Sequence, residues 1–217
     1  ERGTGKRLFS QHVHLASSPA FKNFYEVNCR VFEDEGIKKF FGKIKEAADE
    51  RATLFINNVN LLSQDMQTLL KETYLDELLA KKVKIITSSE TEIEQSAGML
   101  SKFAGVQFNS DLYFRLSVVK LNFLPLRQRQ EDILPIAQFY LKKFRRDSGL
   151  KFEGFSDSCI KKMQDYLWKA NCDELINAIQ RAFIVGSEGM ISFSDLGLEG
   201  LQRQESIQDD TIESFTD

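Results

Sequence analysis

The sequence predicts an α/β core followed by a small helical domain, and three features of its patterning carry that expectation. Short runs rich in β-branched and aromatic residues alternate with longer stretches of helical period. Those strand-like runs stop at Pro125, beyond which only helical patterns follow. The first helical stretch opens directly on the glycine-rich run Gly3-Thr4-Gly5-Lys6. Strands that alternate with helices imply a mostly parallel sheet covered on both faces.

Four runs read as strands: Phe24–Asn28, Thr53–Asn57, Val83–Ser88 and Val118–Leu124. Between the second and third, Met66, Leu69, Leu70 and Thr73 recur at helical spacing and make Ser63–Tyr74 an amphipathic helix. After the boundary near Leu126, Glu131–Phe144 places Ile133, Ala137, Tyr140 and Phe144 on one stripe. Ser156 reads as the N-cap of a second helix reaching Leu167, with Ile160 and Met163 facing inward. Asp173–Val185 places Leu175, Ala178, Ile179, Ala182 and Phe183 on the face of a third. The final stretch from Leu201 carries five acids against one base and no apolar period. The expected organisation is therefore an α/β core over residues 1–125, a helical domain over 126–200 and an acidic tail or linker over 201–217.

The 217 residues are 42% hydrophobic and 28% charged, an ordinary globular composition. A net charge of −3 argues against a broad nucleic-acid surface. The basic runs at Lys142-Lys143 with Arg145-Arg146 and at Lys81-Lys82 read as solvated helix ends or loops. No apolar run approaches the roughly 18 residues of a membrane span. The scattered cysteines Cys29, Cys159 and Cys172 have neither disulfide-framework nor zinc spacing, and read as buried, reduced thiols of a cytoplasmic protein.

Glycines let backbone N–H groups close around phosphate oxygens, a helix N-terminus adds a favourable dipole, and a lysine neutralises phosphate charge. Gly3, Thr4, Gly5, Lys6 and the adjoining Arg7 are therefore the candidate nucleotide-binding residues. Arg7 stands where a general phosphate loop carries the Ser or Thr that holds Mg²⁺. Taken alone, so short a run is better explained as a glycine-rich turn.

Its context changes that balance. Glu1-Arg2-Gly3-Thr4-Gly5-Lys6 is followed by His14 and Ser17, then by Val27-Asn28-Cys29 and Phe41-Gly42. Thr53-Leu54-Phe55 precedes Gln67 and Leu69-Leu70. Asp111-Leu112-Tyr113-Phe114-Arg115-Leu116, Pro125-Leu126-Arg127-Gln128-Arg129 and Glu131-Asp132-Ile133 come next. Trp168, Asn171, Glu174-Leu175 and Asn177 close the series. Over residues 1 to about 196 this order resembles the AAA+ ATPase domain of bacterial sigma-54 activators, including those of response-regulator type. The resemblance implies a P-loop NTPase core with a five-stranded parallel sheet, a helical lid, nucleotide between them, and hexameric rings. It also implies a central strand ahead of the phosphate loop. That strand would precede Glu1, so the sequence is expected to be part of a longer protein.

Against that family the catalytic positions are changed. The family's Walker B strand reads Leu-Phe-Leu-Asp-Glu-Ile, whereas this chain reads Leu54-Phe55-Ile56-Asn57-Asn58-Val59. An amide keeps the size of a carboxylate but carries no charge for Mg²⁺ and takes no proton. Asp49 and Glu50 precede the strand and fall at its wrong end. Of the family's two arginine fingers, the first is replaced by Asn109 and the second survives as Arg115. Arg115 is thus a residual finger or a structural partner of Asp111, four residues earlier. The lid arginine that senses nucleotide is replaced by Asp173, and the sensor Thr-Asn by Ser89-Glu90. Asn28, which restrains the Walker B Glu in the family, is left without that partner. The family's sigma-54-contacting loop, Gly-Ala-Phe-Thr-Gly-Ala, is deleted: Gly42 runs through Lys43-Ile44-Lys45-Glu46 to Ala47-Ala48-Asp49.

The sequence therefore reads as a degenerate domain of this family, a non-hydrolysing regulatory or scaffolding module in bacterial signalling or transcription control. It is a pseudo-ATPase in this reading, with no catalytic residues and no metal site. Binding of ATP or ADP through the loop stays open, without a requirement for Mg²⁺. Partners are expected to be proteins of unspecified identity, with homo-oligomerisation open and sigma-54 contact disfavoured. Neither a DNA-reading element nor a membrane segment is evident in the sequence. Two alternatives stay open: an active ATPase that activates transcription, and a purely structural interaction module without nucleotide.

Overall fold

The computed structural model describes residues 1–17, 23–47, 52–91, 93, 108–186 and 189–198. By contact the chain forms two compact units. The first is Gly5–Phe123 together with Glu1; the second begins at Leu124 and takes in Arg2–Thr4. Asp49, Glu50 and the acidic stretch 201–217 lie outside the described residues.

In the first unit β1 (Phe24–Asn28), β2 (Thr53–Asn57) and β3 (Lys84–Thr87) form a parallel sheet in the order β1-β2-β3. Asn28 is in register with Asn57, and Ile56 with Thr87. Central β2 buries Thr53, Leu54, Phe55 and Ile56 in succession, the continuous pattern of a strand covered on both faces. Helices α1 (Lys6–Ala16) and α2 (Asp34–Ala47) pack on this sheet. Helical spacing brings Ile37, Phe41 and Ile44 of α2 into one core with Leu54, Met66 and Leu70. Each such side chain contributes about 1.5–3 kcal/mol on burial.

Ser63–Tyr74 is helical as expected, but the helix is longer and less regular. Ser63 caps α3 (Gln64–Leu69) by accepting from Met66 N at 3.2 Å. The chain then widens into a π-helical turn, Leu70–Tyr74, and continues as α4 (Leu75–Ala80), whose Leu75 and Leu78 extend the apolar stripe.

Val118–Leu124 is not a strand. Beyond α5 (Ser110–Leu116) the segment is exposed, with Val118 at 83% and Val119 at 77%. β-Branched residues favour extended backbone, but a strand also needs a neighbour for its ladder bonds. None of the described strands pairs with this segment. Phe123 instead meets the ring of Phe9 edge-on at 5.2 Å.

The second unit packs α6 (Gln130–Ser148), α7 (Asp157–Asp165) and α8 (Asn171–Val185) around Trp168. Trp168 is fully buried and donates Nε1–H to the Met163 carbonyl at 2.7 Å. Ser156 caps α7 through Cys159 N, as its sequence predicts. The helix ends at Asp165 rather than Leu167, because Tyr166 turns extended and lays its ring 4.8 Å from that of Trp168. Two strands stand where the sequence predicted helices alone. β4 (Phe152–Phe155) and β5 (Gly189–Ile191) pair in parallel, and each is too short for an alternating pattern to show. Among the described residues no helix is long and apolar enough to cross a membrane.

Candidate nucleotide site

Gly5, at φ 98°, precedes α1 and supplies no side-chain cap. A helix start of this kind presents N–H groups and a positive dipole end to an anion. Gly3 also has a positive φ, 73°, and a Cβ there would come within 2.1 Å of the Ala170 carbonyl oxygen. Only glycine fits that position.

Three successive carbonyls of the loop are held by residues of the second unit. Arg2 O accepts from Asn171 Nδ2 at 2.7 Å, Gly3 O from Cys172 N at 3.0 Å, and Thr4 O from Arg129 Nη2 at 2.9 Å. Asn171 is fully buried at φ 55°, and its Oδ1 also accepts from Leu126 N at 2.7 Å. Thr4 is buried, and Lys6 Nζ donates to the Glu1 carbonyl. Arg7 is directed to β1, where its Nε donates to both carboxylate oxygens of Glu26 at 2.8 Å each. The roles of Arg129 and Asn171 in holding the loop were not legible beforehand. Both appeared only as motif residues, and the bonds they make to the loop span 125 and 169 positions of sequence.

Parallel strands end on one edge, where α/β proteins place their ligands. Among the described residues, Asn28, Asn57, Asn58 and Ser88 at that edge are uncharged. Ser88 Oγ donates to Asn57 Oδ1 at 2.6 Å, and Asn58 Nδ2 donates to Asn28 Oδ1 at 3.0 Å. Asn28 thus lacks the family's glutamate but bonds the amide that stands in its place. Asn58 is buried in the left-handed region at φ 59°, ψ 46°, and its Oδ1 has no hydrogen-bond partner. Glu90, at the altered sensor position, pairs with Arg30.

Amides and hydroxyls already bonded to one another do not fit Mg²⁺, which takes carboxylates together with waters and phosphates. Among the described residues no group of three or more His, Cys, Asp or Glu is placed to hold a metal. Burial pushes the Cys29 thiol beside this edge up to about 12 and that of Cys159 up to about 11. Cys172 is only partly buried, not enclosed as expected, since its position starting α8 is set by the bond of its N–H to Gly3 O.

Asn109 serves as a helix cap. Its Oδ1 accepts from Leu112 N at 3.0 Å, and its own N–H donates to Gln67 Oε1 at 2.7 Å. Arg115 does not pair with Asp111. It bonds Asp76 through Nη2 and donates Nη1–H to the Lys71 carbonyl at 2.8 Å, while Asp111 faces Lys71 at 3.6 Å. Acceptors on the neighbouring helical stretch thus displace the one on its own helix. Asp173 lies in the first turn of α8 with Oδ2 3.7 Å from Arg2 Nε. Gly42 lies inside α2, which is unbroken from Asp34 to Ala47, while Ala48 and Asp49 are outside the described residues.

The model of the sigma-54 interaction domain family matches residues 1–126, more than half of the chain. The chain belongs to that family. A model of the AAA+ ATPase lid domain matches residues 127–212. The sigma54-dependent transcriptional regulator SfnR of Pseudomonas fluorescens (strain Pf0-1) is 29% identical over 93% of this chain and 60% of its own. The transcriptional regulatory protein ZraR of Klebsiella oxytoca is also 29% identical, over 91% of this chain and 48% of its own. This sigma-54 interaction domain thus spans roughly half the length of the curated relatives it matches. The crystal structure of NtrX from Brucella abortus in complex with ADP superposes with a TM-score of 0.74 at 23% identity, over 91% of this chain and 48% of that one. That likeness establishes the fold, an AAA+ α/β core with a parallel sheet and a helical lid.

Proposed function

We propose that this sigma-54 interaction domain is a transcription-regulatory module that binds ADP or ATP weakly and does not hydrolyse it. The observation that carries the reading is the uncharged set Asn28, Asn57, Asn58 and Ser88 at the sheet edge. Hydrolysis needs a carboxylate to help hold Mg²⁺ and a group to position or deprotonate the attacking water. Asn57 and Asn58 supply neither, and their amides are engaged with Ser88 and Asn28. Asn109 capping α5 adds to this, since loss of an arginine finger costs about 10³–10⁵ in rate in related phosphoryl transfer.

Weak nucleotide binding is supported by the backbone of Gly3 and Gly5 and by the uncapped start of α1. NtrX was crystallised with ADP and with ATP, which favours the same ligand class. The unbroken α2 supports regulation through protein contacts other than sigma-54. A module without nucleotide is the second reading, favoured by the acidic Asp173 beside the loop.

The full-length protein assayed with ATP and Mg²⁺ is expected to show no turnover above background. Nucleotide titrated in EDTA should raise the melting temperature saturably, by about 5–11 °C at a hundredfold excess over Kd. Lys6→Ala should remove that rise. Turnover comparable to an active family member, abolished by Lys6→Ala, overturns the proposal. Absence of any shift at millimolar nucleotide leaves the purely structural module as the reading.

A further inference from the structure

We infer that Asp173 is a resident anion of the phosphate loop, a carboxylate that competes with nucleotide phosphates and holds the affinity of the site down. The inference rests on the nucleotide reading above and names the regulation of that same site. Its basis is a continuous three-residue contact. Asn171 and Cys172 fix the loop main chain through the carbonyls of Arg2 and Gly3. Asp173, the next residue, places its Cγ 3.2 Å from the point where a Cβ on Gly3 would stand. The carboxylate is therefore carried by the same segment that anchors the loop, and moving its backbone away would break the buried bonds of Asn171.

Arg2 answers this charge only in part. Its Nε is 3.7 Å from Asp173 Oδ2, and the two side chains are 71% and 52% exposed, so water and salt screen the pair. A ligand bringing two or more negative charges to the Gly3 backbone meets a like charge already there. It must displace that carboxylate or bind against its field. Arg2 is the partial counter-charge that offsets this carboxylate.

ADP titrated into the full-length protein in EDTA at low salt, read by calorimetry, tests this. Asp173→Asn is expected to tighten binding about tenfold, and the gain should shrink at high salt. Asp173→Glu keeps the charge and should stay near the unaltered affinity, which separates charge from shape. Arg2→Ala should weaken binding. Equal affinity in the unaltered protein and Asp173→Asn overturns the inference while leaving nucleotide binding in place. Absence of binding by every variant removes both. Binding that Mg²⁺ tightens and Asp173→Asn weakens also overturns it, since the carboxylate would then hold a metal rather than repel phosphate.

Discussion

The glycine-rich loop and the carboxyl edge of the sheet are held in different ways, the first through its main chain and the second through side-chain amides and hydroxyls. The loop is built from backbone. Gly3 cannot take a side chain because Ala170 O lies in the way, and the carbonyls of Arg2, Gly3 and Thr4 each satisfy a donor elsewhere. Its sequence is thus constrained by packing whether or not a nucleotide ever arrives. The sheet edge is held by side chains instead. Amides fill the volume of carboxylates and supply bonds of their own, so the fold tolerates the exchange. A surviving glycine motif therefore reports on the neighbours of the loop as much as on its ligand.

The contrast can be broken by measuring what each region contributes to stability. The largest loss is expected for Asn171→Ala, which leaves the Leu126 N–H and Arg2 carbonyl without their partner and forces alanine to φ 55°. About 2–4 kcal/mol should vanish in urea denaturation. Asn57→Ala gives up one bond to Ser88 and should cost about 1 kcal/mol. Losses of equal size at the two positions would erase the distinction between a packed loop and a tolerant edge.

The smallest effect sharpens the picture of a dry sheet edge. Burial raises the Cys29 thiol from its ordinary 9.0 to about 12, so the folded state holds a neutral thiol where the unfolded state ionises. Its contribution is complete below pH 9 and is lost as pH rises from 9 toward 12. At pH 9 the loss relative to Cys29→Ala is roughly 0.4 kcal/mol. Melting curves of the two proteins that stay parallel from pH 7 to 10 would show the thiol to be solvated.

The strands β1, β2 and β3 were legible in the sequence because their runs are rich in β-branched and aromatic residues and sit between helical patterns. Val118–Leu124 has the same local preference and failed as a strand, since pairing depends on a neighbour that local preference does not reveal. The pair β4–β5 was hidden for the opposite reason: Gly189–Ile191 has too few residues to form a pattern. In the candidate site, Asn57, Asn58 and Asn109 were readable as departures from a family motif. Their bonding partners were not. The Asn58–Asn28 bond and the Arg115 contact to Asp76 depend on elements brought together only by folding, whereas the Asn109 cap on α5 is local, made to the N–H three residues on.

Under the proposed non-hydrolysing reading, the left-handed backbone at Asn58 sets a condition on any return of hydrolysis. Asparagine is among the few residues that occupy that conformation readily, and here it is also enclosed. Glutamate at the same φ 59° would carry a backbone penalty of about 1–2 kcal/mol and bring a charge into a buried pocket, with Asn28 having to turn its amide to present an N–H. The first step back toward an enzyme thus lowers stability before it yields any turnover, because Asn57 and Asn109 would still be in place. Selection working one substitution at a time meets a valley there, and the amide acts as a ratchet.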